Sequence, residues 1–257
     1  GSDTSDTGTG GGSETPTVDW SIMADNVGNG VLLSAWSDGD EVLFVGGDMD
    51  GGPGVMVVQE WWGLAPQIKG VCDRLASEGF VALAPDLYHG ELAGHTEMDK
   101  AGELMNTLPP DRAARDMSGA IDYLLAHDAT SGEAVGVVGF CMGGMLTLVI
   151  ADREGDRVAA AAPFYGAPLG AASDGPDWSG LTARVEGHFA GSDDFFPPEV
   201  VAQLEADLQE MGKDVVFHVY PGTGHGFANE ENPLGTYDEA ISATAWARTL
   251  NLFRDVL

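Results

Sequence analysis

Basic residues are scarce in this chain. Lysine occurs three times in 257 residues, at Lys69, Lys100 and Lys213, and Lys plus Arg total 11 against 41 Asp plus Glu, a net charge of −30 at pH 7. So few cations cannot neutralise a run of phosphates, which argues against nucleic-acid binding and against docking on an anionic membrane. Cysteine is nearly absent as well, at Cys72 and Cys141 only. No Cys-x-x-Cys pair or Cys/His cluster has zinc spacing, so no metal site is expected, and two free thiols suit a reducing compartment. No apolar run is long enough to span a membrane, no signal peptide is visible and no internal repeat occurs. A cytoplasmic protein is expected; the alternative is an exported one whose first residues follow a removed signal.

The acids are scattered rather than blocked, and 44% of residues are hydrophobic, enough for a packed core. A dispersed acidic surface with few lysines is the pattern of a protein from a salt-loving organism, because at molar salt the Debye length is only ~3 Å and the charges no longer repel. Residues 1–17 are almost wholly Gly, Ser, Thr, Asp and Glu and read as a solvated tail. Residues 18–257 read as a single domain, a length common for α/β folds.

Two periodicities alternate beyond the tail. Apolar, strand-like runs cover residues 55–58, 81–84, 135–140, 158–164, 185–190 and 215–220. Between them lie helical stripes: Leu64, Ile68, Val71, Cys72 and Leu75; Met117, Ala120, Ile121 and Leu124; Val201, Leu204, Leu208 and Met211, opened by Pro197-Pro198; and Tyr237, Ile241, Ala245, Leu252 and Phe253. Continuous apolar strands alternating with amphipathic helices predict an α/β fold, a mostly parallel, doubly wound sheet with helices on both faces. Residues 31–54, with Asp38-Gly39-Asp40 and Asp50-Gly51-Gly52, read as antiparallel hairpin strands.

The densest signal is Gly139-Phe140-Cys141-Met142-Gly143-Gly144, at the junction between a strand-like run and a helix-like one. Gly-x-Cys-x-Gly in that setting is the nucleophile elbow of the α/β-hydrolase fold with a thiol in place of serine. The turn is so tight that only small residues fit two before and two after the nucleophile. A thiol nucleophile needs a base and a group to orient that base, each just past a strand end, in the chain order nucleophile, acid, histidine. Gly191-Ser192-Asp193-Asp194 follows one strand-like run, and Gly224-His225-Gly226 follows another. Taken singly, such a cysteine is usually core, such an aspartate a helix cap and such a histidine a surface group. Their order makes them a set. Composition leaves Asp193 and Asp194 open as the acid. Cys72 falls on an apolar stripe and His188 and His218 within strand-like runs, all three as core or sheet residues.

Several segments together resemble the dienelactone hydrolase (carboxymethylenebutenolidase) family: Gln59-Glu60-Trp61-Trp62-Gly63, Ala84-Pro85-Asp86-Leu87-Tyr88, Gly139 to Gly144, Gly191 to Pro198, and Gly224-His225-Gly226-Phe227-Ala228. The resemblance implies a Cys141–His225–Asp triad, and its acid-loop pattern, Gly-x-x-Asp-x-x-x-Pro laid on Gly191 and Pro198, puts the aspartate at Asp194. It implies that Glu60 contacts the resting thiol and helps control its ionisation. It gives the backbone N–H groups of Trp61 and Met142 as the oxyanion hole, with Trp61, Trp62, Tyr88, Phe195 and Phe227 lining the substrate pocket. Three positions depart from the family. The arginines that hold a substrate carboxylate are replaced by Gly90 and Asn229, and a serine after the histidine by Gly226. The expected activity is hydrolysis of a small-molecule ester or lactone through an acyl-thioester, without cofactor, by a monomer or small homo-oligomer, and without dienelactone specificity. The alternatives are a thioesterase or short-chain carboxylesterase, or a non-enzymatic binding or redox-sensing protein on the same fold.

The charge balance makes a prediction of its own. The Debye length is ~30 Å at 0.01 M salt and ~3 Å at 1 M, so repulsion within the compact state is removed as salt rises. The melting temperature followed by circular dichroism should climb through a KCl series, with most of the gain below about 1 M. A flat or falling trend would refute the salt-adapted reading.

Overall fold

The computed structural model describes residues 51–168 and 176–257 in full, and the backbone of three short strands before them. The expected tail at 1–17 and the Asp38-Gly39-Asp40 turn lie outside the described residues. The strands are β1 (Ala24–Val27), β2 (Gly30–Leu33), β3 (Leu43–Gly46), β4 (Gly52–Val58), β5 (Val81–Pro85), β6 (Thr130–Phe140), β7 (Val158–Phe164), β8 (Arg184–Ser192) and β9 (Val215–Gly224). The helices are α1 (Pro66–Ser77), α2 (Met98–Thr107), α3 (Pro110–Ala126), α4 (Met142–Glu154), α5 (Pro198–Glu210) and α6 (Glu239–Val256).

All nine strands join one sheet in the order β1-β2-β3-β5-β4-β6-β7-β8-β9. The six strands from β5 to β9 run parallel, and β1 to β3 are antiparallel additions at one edge. The hairpin expectation for residues 31–54 holds for β2 and β3 and stops there. β5 inserts between β3 and β4, so the Asp50-Gly51-Gly52 segment leads into a parallel core strand.

Alternation along each strand divides the core between two faces. Met56, Val58, Val81, Leu83, Val135 and Val137 join residues of α3, α4 and α5 on one side. Val55, Val57, Ala82, Ala84, Val138 and Phe140 join residues of α1 and α6 on the other. Proline stands at the first turn of α1, α3 and α5, where its missing N–H leaves no bond unmade. The chain of β7 is Val-Ala-Ala-Ala-Ala-Pro-Phe, and its small residues let the sheet lie close beneath α4. The helix α2 was not anticipated. It buries only Ala101, so its apolar period is thin.

No helix among the described residues is long and apolar enough to cross a membrane. The last helix is fastened by Phe253, which is fully buried and meets Phe80 edge-on at 5.9 Å. Phe253→Ala should cost about 3–5 kcal/mol in urea unfolding, the usual loss for an emptied aromatic core site. A loss under about 1 kcal/mol would show that α6 is not anchored there.

Candidate active site

The elbow is held by backbone crowding. A Cβ at Gly139 would sit 2.2 Å from the Gly143 carbonyl oxygen, and one at Gly143 would sit 2.4 Å from those of Val58 and Gln59. Glycine at both positions therefore lets the turn after β6 close against the end of β4. Cys141 is left at φ 55, ψ −117, a conformation side chains rarely adopt, as the residue capping α4. Its N–H donates to the Phe164 carbonyl at 3.0 Å, which ties the elbow to β7. The thiol is half-buried and Cys72 is fully buried; both are free. Burial pushes the Cys72 thiol far up, in keeping with its core placement.

His225 follows directly on β9 and is 8% exposed. Rings pack around it: Phe196 is stacked at 5.7 Å, and Phe195 and Tyr165 lie at 4.9 and 5.2 Å. Its Nδ1 is 2.9 Å from Asp193 Oδ2, and its other polar neighbour is the Cys141 side chain. Burial opposes a charge on the ring, but hydrogen bonds to Asp193 and Cys141, with the charges of those groups, outweigh it and raise His225 to about 10. The folded chain thus holds a proton that the unfolded chain, at 6.5, releases earlier. The pair's contribution to stability is full below about 6.5 and is lost as pH rises through about 10.

The structure corrects the choice of aspartate. Asp194 is exposed, and Asp193 is buried and meets the imidazole. The reason is local. Asp193 Oδ1 accepts the N–H groups of Phe195 and Phe196 at 2.9 and 3.1 Å, and this turn swings Oδ2 onto His225. The spacing Asp-x-x-x-Pro is kept, but it ends on Pro197, the residue capping α5, instead of Pro198. Counting back from the cap would have found Asp193.

Glu60 follows β4 and is 4% exposed. Its oxygens accept from Tyr165 Oη at 3.0 Å and from Asn229 Nδ2 at 3.1 Å. Burial raises its pKa, opposed by the Tyr165 hydrogen bond, the His225 charge, the Asn229 hydrogen bond and the His95 charge. The backbone N–H groups of Trp61 and Met142 flank the elbow, and among the described residues neither has a hydrogen-bond acceptor.

A cavity of about 300 Å³ opens over Cys141 and His225. Its walls are otherwise apolar: Trp61, Met105, Met142, Met145, Phe196 and Leu234 carry most of the surface, with Phe195 at the rim. Of the five aromatics expected to line it, Trp61 and Phe195 do. Trp62 is buried against Ala65, Ala93 and Ala101, and Phe227 lies in the core beside Tyr165 and Tyr220. Tyr88 acts from behind the wall, its hydroxyl 3.4 Å from Met142 Sδ. Met105, Met145, Phe196 and Leu234 were missed; Phe196 adjoins a residue already singled out, and the others carry no local signal. No lysine or arginine reaches the cavity, and Asn229 at the departed arginine position is buried on Glu60. Among the described residues no cluster of three His, Cys, Asp or Glu could hold a metal ion.

This sheet, with a strained strand-to-helix turn at the end of β6, is that of an α/β hydrolase. The chain belongs to the dienelactone hydrolase family, whose profile matches residues 42–257. It is 36% identical over 213 residues to Protein usf of Aquifex pyrophilus, across 80% of this chain and 90% of that one. An Aquifex aeolicus (strain VF5) protein provisionally named a carboxymethylenebutenolidase is 33% identical over 212 residues, across 80% and 89%. Among crystal structures, a provisionally named dienelactone hydrolase from Klebsiella pneumoniae subsp. pneumoniae MGH 78578 matches with a TM-score of 0.73 at 26% identity, over 85% of this chain and 95% of that one.

Removing the Asp193 carboxylate takes away the strongest hydrogen bond that raises the His225 proton affinity and leaves the Cys141 side chain alone to oppose burial. In Asp193→Asn the ring should titrate about 1–3 units lower by NMR of its carbon-bound protons, a usual range for losing a close opposite charge. Asp194→Asn should leave it in place. The reverse pattern would return the role to Asp194.

Proposed function

We propose that this chain hydrolyses neutral esters or lactones of small molecules through an acyl-thioester on Cys141. The observation that carries the reading is the run from the Asp193 carboxylate through His225 to the Cys141 thiol, on an elbow beside two unpaired amides. With the Cys141 proton already on His225, the sulfur attacks the substrate carbonyl carbon as the thiolate. A C–S bond forms, and the carbonyl electrons move to an oxyanion received by the Trp61 and Met142 N–H groups. Collapse breaks the C–O bond, and the imidazolium gives its proton to the leaving alkoxide. Water then adds to the thioester, with His225 taking its proton. The second collapse frees the acid and regenerates the thiolate beside the imidazolium. Asp193 holds the ring and stabilises its cation throughout, without itself being protonated.

The cavity supports the restriction to neutral acyl groups. A substrate carboxylate seated there would be desolvated among thioethers and rings with no cation to meet it. Neutral p-nitrophenyl esters should therefore be turned over with at least about tenfold higher kcat/KM than esters bearing a free acyl-side carboxylate, since even 1.4 kcal/mol of unpaired desolvation gives that ratio. A preference for the carboxylate-bearing esters would overturn the restriction. Cys141→Ala should lower kcat by roughly 10⁴–10⁶-fold with its circular dichroism unchanged, and the parent should show an acyl adduct on Cys141 by mass spectrometry. Near-native turnover in Cys141→Ala would sink the mechanism.

A further inference from the structure

Strand β9 ends the sheet, and no strand lies beyond it. The Val185 N–H donates to the Asp214 carbonyl at 2.8 Å, and alternation then turns the backbone of Val216, His218 and Tyr220 toward β8 and that of Val215, Phe217 and Val219 outward. An outward row of N–H and C=O groups is a template for a further strand. Val216 and Val219, at 46% and 37% exposure, flank it with apolar surface. Yet side chains of α5 already occupy this edge. Glu205 Oε1 accepts the outward N–H of Phe217 at 2.7 Å, and Gln209 Nε2 donates to the outward carbonyl of Val215 at 2.9 Å. Pro221, the next outward residue, has no N–H to offer. Near the same end the pairing register with β8 breaks between Ala190 and Ser192. Between these stops, among the described residues, no side chain meets the outward N–H of Val219.

We propose that Glu205 and Gln209 guard the β9 edge against pairing with the β9 of a second copy of this chain. Two such edges laid antiparallel form a self-complementary, two-fold contact and join two sheets into one. That contact needs the Phe217 N–H and the Val215 carbonyl, and α5 has satisfied both. An incoming carbonyl aimed at Phe217 meets a carboxylate instead. The net charge of −30 also keeps copies apart, but only across a Debye length, which falls to ~3 Å at 1 M salt. A hydrogen-bonded cap acts at contact, so it persists after the long-range repulsion has been screened.

The test reads self-association and needs no substrate. The variant carrying both Glu205→Ala and Gln209→Ala, checked for folding by circular dichroism, is compared with the parent by sedimentation equilibrium at about 0.01 M and about 1 M KCl. It should associate at least about tenfold more tightly than the parent at the higher salt, and less so at the lower, where the charges still repel. Adding Val219→Lys, which places a charge on the paired edge, should reverse the association. Glu205→Gln alone keeps an acceptor for Phe217 and removes the charge, so it should behave as the parent. The proposal is overturned if the folded double variant associates no more than the parent at either salt, or if Val219→Lys leaves the association in place. Association of Glu205→Gln would make charge, not the cap, the guard and would overturn it too. If the double variant does not fold, hydrogen exchange in the parent decides. The Phe217 amide should exchange at least about a hundredfold more slowly than that of Val219, and similar rates at the two would overturn the guard.

Discussion

The close approach of three strand ends is the constraint on which the site depends. The carbonyls of Val58 and Gln59 at the end of β4, the elbow after β6, and Phe164 to Gly166 after β7 converge with no space between them for a Cβ. Backbone packed at that density has one arrangement. It forces Cys141 into a sparsely populated conformation, opens the Met142 amide at the start of α4, and aims Tyr165 at Glu60. A larger residue at Gly143 or Gly166 would collide with backbone, which has no rotamer by which to yield. Strain at Cys141 is maintained because the surrounding sheet leaves no relaxed alternative.

On that frame the electrostatics are arranged by distance and dryness. His225 is buried among Tyr165, Phe195 and Phe196, surroundings that by themselves would strip its charge. Asp193 at 2.9 Å, together with the Cys141 side chain, reverses the outcome, and the Asp193 carboxylate is itself satisfied by two backbone N–H groups. A contrasting histidine shows the rule from the other side. His188 is fully buried on β8 with the hydroxyls of Tyr220 and Thr249 as partners, and burial holds its pKa well below the ordinary value. Two buried imidazoles are thus shifted in opposite directions, because one meets Asp193 and Cys141 while the other hydrogen-bonds only hydroxyls.

Much of this was legible in the sequence wherever the signal was local. The elbow needs two glycines at fixed offsets, and parallel strands need continuous apolar runs; both could be read directly. The errors lie where the outcome depends on how segments meet. Asp194 came from counting back to the second of two adjacent prolines, while the helix is capped by the first, one residue earlier. Trp62, Tyr88 and Phe227 stand near the motif residues, yet their loops turn them into the core, and no periodicity reports that. Met105 escaped notice because α2 buries a single residue and so leaves almost no stripe. The partner of β4 is likewise set by a crossover through α1, which no turn residue in the 31–54 segment announces.

The three thioethers in the cavity wall, Met105, Met142 and Met145, carry a further consequence. Unbranched sulfur side chains change shape by rotating about single bonds, without moving the backbone that bears them. The reacting atoms are therefore fixed by rigid strand ends, while the surface that meets the acyl group is deformable. Recognition and reaction are separable in this architecture. Differences among relatives in the acyl group preferred can accumulate on the deformable wall, one side chain at a time, without disturbing bond-making at the elbow. A site so divided is well placed for evolutionary divergence: new specificities are reachable by small steps that leave turnover intact.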